Sequence, residues 1–97
     1  MATFVMLVSF TDQGVRNIKE TTKRADAFKQ MAEKVGVTVR DIYWTLGQYD
    51  AVAIGEAPDD ETATAVALSI GSLGNIRTQT LPAFSRNEMD AIIKKMA

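Results

Sequence analysis

Asp50 is the side chain in this sequence best suited to acid or base chemistry. It is a carboxylate that ends a Gly47-Gln48-Tyr49-Asp50 turn signal, next to a phenol. Burial that raised its pKa would let it exchange a proton near neutral pH or orient a ligand. The residue also has a simpler use, because an aspartate in a turn bonds nearby backbone amides and fixes a hairpin; turn preference favours that use. Tyr43, Trp44 and Tyr49 are aromatic side chains with polar tips, the type that lines pockets for apolar or aromatic ligands and that serves equally as a core or interface anchor. Tyr43 and Trp44 are neighbours on a predicted strand, so they point to opposite faces. Arg77 and Arg40 also fall on predicted strands. A strand arginine turned into a cavity holds an anionic ligand bidentately; on an edge it is a protective charge or a partner for Asp41 or Glu56.

Other chemistries are poorly served. The 97 residues contain no histidine and no cysteine, which removes the commonest general base and metal ligand, any thiolate nucleophile and any disulfide framework. No cofactor and no metal site are expected. Gly71-Ser72-Leu73-Gly74 superficially resembles a phosphate loop, but it ends a predicted helix, whereas phosphate loops precede a helix N-terminus. Asp59, Asp60 and Glu61 open a helix and read as caps compensating its dipole, not as converging metal ligands. Lys23, Arg24, Lys29 and Lys34 alternate with Asp26 and Glu33 as a solvated helix face. With 11 basic and 12 acidic residues interspersed, the chain lacks the basic face of a nucleic-acid binder. The first residues carry no positive charge and the apolar run after them stops at Phe10, so neither a signal peptide nor a membrane span fits and the expected location is cytoplasmic.

The elements that must position these residues follow from periodicity. A length of 97 residues predicts a single domain over 1–97. Thr3 to Phe10 is short, β-branched and apolar on both faces, as in a strand covered on both sides. Thr11-Asp12-Gln13-Gly14 starts a short helix with Val15 and Ile18 inward. Thr21 and Thr22 then serve as a second N-cap for a longer helix near 22–35, with Ala25, Phe28, Met31, Ala32 and Val35 recurring at helical spacing until Gly36. Thr38 to Leu46 and Ala51 to Ala57 form a hairpin around Gly47-Gln48-Tyr49-Asp50. Asp59 caps a helix whose buried stripe is Ala63, Val66, Ala67, Ile70 and Leu73. Asn75 to Leu81 is a fourth strand closed by Pro82. Ser85-Arg86-Asn87-Glu88 is a capping box for a last amphipathic helix with Met89, Ile92, Ile93 and Met96 on one face.

The order is that of a ferredoxin-like α+β fold, βαββαβ: a four-stranded antiparallel sheet with helices on one face, plus the C-terminal helix. The first strand is apolar on both sides, with Phe4, Met6, Val8 and Phe10 on one and Val5 and Leu7 on the other. So is the second, with Ile42, Trp44 and Leu46 on one and Val39 and Tyr43 on the other. The side that the helices leave open is therefore an apolar patch that needs a cover. A second copy of the sheet is the simplest one, giving a homodimer or higher homo-oligomer; the C-terminal helix is the competing cover.

Tyr43-Trp44-Thr45-Leu46-Gly47-Gln48-Tyr49-Asp50, Ala57-Pro58-Asp59-Asp60-Glu61 and Gly71-Ser72-Leu73-Gly74-Asn75-Ile76-Arg77-Thr78, with Thr11-Asp12-Gln13-Gly14 before them, resemble the GYD family over residues 4–85. Gly47, Tyr49 and Asp50 match its naming motif. The resemblance implies a dimeric α/β-barrel type of fold and brings no activity, cofactor or catalytic set. The functional expectation is a small-molecule-binding module, with Tyr43, Trp44, Tyr49 and Arg77 as ligand contacts. Two alternatives stand beside it. One is a cofactor-independent oxygenase or isomerase using Asp50 as acid/base, by analogy of fold; the missing histidine weighs against it. The other is a structural subunit of an oligomer.

Overall fold

A computed structural model describes residues 1–97. The elements run β1 (Ala2–Phe10), α1 (Asp12–Arg16), a 3₁₀ turn (Ile18–Glu20), α2 (Thr21–Lys34), β2 (Thr38–Trp44), β3 (Ala51–Ala57), α3 (Asp60–Gly71), β4 (Ile76–Ala83) and α4 (Arg86–Lys94). The strands form one sheet in the order β2-β3-β1-β4, and every neighbouring pair is antiparallel. This is the ferredoxin-like arrangement, with α4 appended. No helix is long and apolar enough to cross a membrane.

Alternation along the strands decides what each face carries. Phe4, Met6 and Val8 of β1 are buried against Phe28 and Ala32 of α2 and Val66 and Ile70 of α3, in one apolar cluster. Directly paired residues share a face, so Leu7 lies on the opposite side with Val52 and Gln79, and Val5 lies there with Ile54 and Leu81. That side has no helix over it: Tyr43 is 59% exposed and Leu81 41%.

Local signals set the helix ends. Asp59 accepts the Thr62 amide at 2.7 Å and caps α3; bonding from Thr62 holds its carboxyl below the usual aspartate pKa. Ser85 and Glu88 form the reciprocal capping box of α4, and the bond from the Ser85 amide likewise lowers the Glu88 pKa. Gly36 and Gly74 follow α2 and α3 with φ of 83° and 88°, the left-handed region that favours glycine after a helix.

Several expectations need correction. Val15 and Ile18 do not face inward; they are 57% and 41% exposed. Helix α1 presents Gly14 to the rest of the molecule, and a Cβ built there would lie 2.1 Å from the Asn75 carbonyl oxygen, so the bulky neighbours are turned out. Neither Thr21 nor Thr22 caps α2. The 3₁₀ turn runs straight into it, leaving Glu20 at the N-cap position with no side-chain bond. Val35 and Leu73 lie beyond the ends of α2 and α3 and are mostly exposed. Leu46 lies outside β2 in the turn, fully exposed. Val39 and Tyr43 do not share a face: the register shift between Val39 and Asp41 sets Val39 opposite Gly55 and against the core, while Tyr43 stays opposite Val52 on the open side. Strand β4 continues through Pro82 to Ala83, which an edge strand permits because it need not donate outward. Finally, α4 forms with the expected apolar face but buries none of its residues, so the covering of the open sheet is not achieved within the chain.

Candidate functional site

The site begins with a run of small residues on a central strand. Strand β3 turns Ala51, Ala53, Gly55 and Ala57 toward the helices, all buried. A strand in the middle of a sheet ordinarily fills that layer with large aliphatic side chains. At Gly55 the gap is taken by the Phe4 ring, whose Cζ would lie 2.8 Å from an added Cβ. Above Ala51 and Ala53 nothing takes it. A cavity of about 340 Å³ remains between the sheet, α2 and the end of α3.

The cavity's walls are apolar. Met6 and Val8 form its floor with the two alanines, Phe28 and Met31 its α2 wall, and Ile70 and Ile76 its far side. Only three polar residues line it: Thr21, Arg24 and Asn75. At the mouth the Trp44 indole N–H donates to the Thr21 hydroxyl at 3.0 Å, joining β2 to the start of α2. Arg24 donates through Nη1 to the Asn17 carbonyl at 2.7 Å and through Nη2 to the Gly14 carbonyl at 3.4 Å. No acidic residue lines the cavity, and the chain's ion pairs are elsewhere, Lys23 with Glu20 and Arg40 with Glu56.

The residues singled out from sequence do not form one site. Trp44 lines the cavity. Tyr43, paired with Val52, faces the other way on the open sheet. Tyr49 donates its hydroxyl to Gln79 Oε1 at 2.9 Å across that same face. Arg77, opposite Ser9, is also on the open face and exposed. Arg40 pairs with Glu56 at 2.8 Å, and this bond and charge push the guanidinium pKa still higher. Asp50 does not line the cavity: its Oδ2 accepts the Phe10 amide at 2.8 Å, its own amide donates to the Val8 carbonyl at 2.8 Å, and its carbonyl accepts the Thr45 amide at 2.9 Å. Its bonds therefore anchor the hairpin to the end of β1, forty residues away in sequence. Asp50→Ala leaves the half-buried Phe10 amide unpartnered and is expected to cost about 1–3 kcal/mol, measured as a lower urea midpoint at unchanged slope.

The residues that build the cavity wall, Phe28, Met31 and Met6, are legible in sequence only as core, and Arg24 only as a surface charge. The available signal was the alternation Ala51-x-Ala53-x-Gly55-x-Ala57 on a strand, which leaves a space unless neighbours fill it.

A family model described as the GYD domain matches residues 4–93. The chain belongs to the GYD domain family. It is 34% identical over 95 residues to a protein of Thermus thermophilus named "Glutamine synthetase and cystathionine beta-lyase binding protein", covering 97% of this chain and 100% of the relative. It is also similar to the crystal structure of TTHA0845 from Thermus thermophilus, with 28% identity and a TM-score of 0.57, over 88% of this chain and 95% of that one. In this GYD chain each of the three named letters of the motif makes a structural contact or turn. Gly47 turns the hairpin at a φ of 139°, Tyr49 reaches across the open face to β4, and Asp50 fastens the turn to β1. The motif is a clamp on the sheet, and it leaves the helix-side cavity to other residues.

Proposed function

We propose that this GYD protein is a non-catalytic binding module whose helix-side cavity takes a small molecule. The observation that carries the reading is the unfilled space over Ala51 and Ala53. Its volume of about 340 Å³ falls at the lower end of the range of small-molecule sites, and such sites are mostly apolar with a few placed polar groups. Acid–base catalysis is the weaker reading, because no carboxylate lines the cavity, Asp50 bonds the backbone elsewhere and the chain has no histidine. Native mass spectrometry of protein purified under mild conditions tests it. The expected result is a mass excess that denaturing conditions remove and that Ala53→Leu, which fills the cavity, does not retain. A retained mass that persists in Ala53→Leu would count against the cavity.

The open face of the sheet favours a second reading, protein recognition. Val5, Leu7, Val52 and Ile54 are only half covered there and Tyr43 stands out from it. We propose that a second copy takes this face, giving a homodimer or a higher homo-oligomer, since an isologous pair presents the same patch from both sides. The relative's name, which specifies two enzymes it binds, makes another protein the competing occupant. A dimer at micromolar concentration that becomes monomeric in Leu7→Glu supports self-assembly; a monomeric wild-type chain overturns it.

A further inference from the structure

Resting on the reading of the cavity as a ligand site, we propose that its ligand is an apolar molecule with a single anionic end, the body lying over Ala51 and Ala53 and the charge meeting Arg24 at the mouth. Three observations converge on this chemistry.

The first is the lining. Apart from Thr21, Asn75 and Arg24, every lining side chain is apolar, so the body of the ligand has no polar groups that need partners inside. A buried polar atom left unpaired there would weaken binding. The second is the charge. Arg24 is the one charged residue on the lining, it is half-buried, and it has no acidic partner. Its two bonds go to the neutral carbonyls of Asn17 and Gly14, and a guanidinium has five N–H donors. Donors and a full positive charge remain for an anion, and the pairing would be strengthened by the apolar surroundings. The lack of any lining carboxylate disfavours a ligand with an ammonium group for the same reason. The third is size. A space of about 340 Å³ matches the body of a medium-chain or one- to two-ring acid.

Trp44 makes the proposal measurable. It is the only tryptophan, it lines the cavity, and it is 45% exposed at the mouth. A ligand that enters removes water from the indole and moves its emission to shorter wavelength. The experiment titrates decanoate and decanol, which share a ten-carbon tail and differ at the head, into the whole protein. The expected result is a saturable blue shift with both, with decanoate binding about tenfold or more tightly, the worth of a charge-assisted bond. Arg24→Met brings decanoate to the level of decanol, while Arg24→Lys, which keeps the charge, retains most of the preference. Ala53→Leu abolishes the shift with both ligands and holds or raises the melting temperature; Ala51→Val serves if that variant does not fold.

The failures are distinguishable. Equal affinities for decanoate and decanol in the wild-type chain, or an unchanged preference in Arg24→Met, reject the anionic end and leave the small-molecule reading standing. No shift with either ligand rejects both. A shift that survives Ala53→Leu places the ligand outside the cavity, for instance on the open sheet, and also rejects both.

Discussion

Phe28→Ala is expected to lower the stability of the chain by about 3–5 kcal/mol, the usual cost of removing a buried phenylalanine. Phe28 is 8% exposed and belongs to both the apolar cluster and the wall of the cavity. Its loss removes apolar area from the protein interior and opens a void that merges with the existing one, so the surroundings gain nothing by collapsing on one side. Domains of this size hold only about 5–15 kcal/mol in total, so the variant sits close to the unfolding threshold. Urea unfolding checks it: the midpoint falls with the slope unchanged. A loss below about 1 kcal/mol would be far short of a truncated core phenylalanine and would mean that α2 closes onto β3, with the cavity too plastic to select a ligand.

The second large effect is expected at Gly14. Alanine is the better helix former by about 0.5–1 kcal/mol, so propensity alone predicts a gain. Sterics predict the reverse and win. A Cβ at Gly14 meets the Asn75 carbonyl oxygen at 2.1 Å and its carbon at 3.1 Å. The obstacle is backbone, not a flexible side-chain tip, and it is held in place. Asn75 accepts the Thr11 amide at 3.1 Å, Thr11 donates to the Gly74 carbonyl at 2.6 Å, and Gln13 donates to Leu73 and Asn75. The whole start of α1 is stitched to the α3–β4 connection. Overpacking typically costs about 1–3 kcal/mol, and this contact belongs at the upper end. Net of the propensity gain, about 2–2.5 kcal/mol is lost. For a chain of this length each kcal/mol lowers the melting temperature by about 4–8 °C, so Gly14→Ala should melt roughly 8–20 °C below the parent. A variant as stable as the parent would show that α1 can slide off the connection at little cost.

These two positions mark where sequence reading succeeds and where it stops. Signals confined to one turn were readable: Asp59 as the α3 cap, the Ser85–Glu88 box, and the hairpin between β2 and β3. The element order was readable too, because alternation and helical spacing are local, and it led to the observed sheet. What failed depended on contacts distant in sequence. Val15 and Ile18 fit the apolar pattern of a helix, but the close approach of Gly14 to Asn75 rotates them outward. Phe28 was visible as a core residue, but nothing in its neighbourhood says that the space beside it is empty. That void belongs jointly to α2, α3 and the small residues of β3. Arg24 was hidden for a related reason: among Lys23, Lys29 and Lys34 it reads as a solvated charge, and only the packed helix puts it at an apolar mouth. Of the aromatic trio, adjacency alone correctly separated Tyr43 from Trp44, while Tyr49 needed the sheet to show its bond to Gln79.

The two edges of the sheet have a consequence for how this protein behaves when crowded. One edge, β4, contains Pro82, which has no N–H to offer an incoming strand. The other, β2, changes register between Val39 and Asp41 and carries Arg40 and Asp41 beside that irregularity. Kinks, charges and proline on an edge all obstruct strand addition. Sideways growth into a continuous cross-β ribbon is therefore obstructed at both edges. The broad apolar face is a separate surface, and the proposed pairing of two copies through it would close on itself. The exposed apolar face is thus not accompanied by a free edge suited to templating fibres.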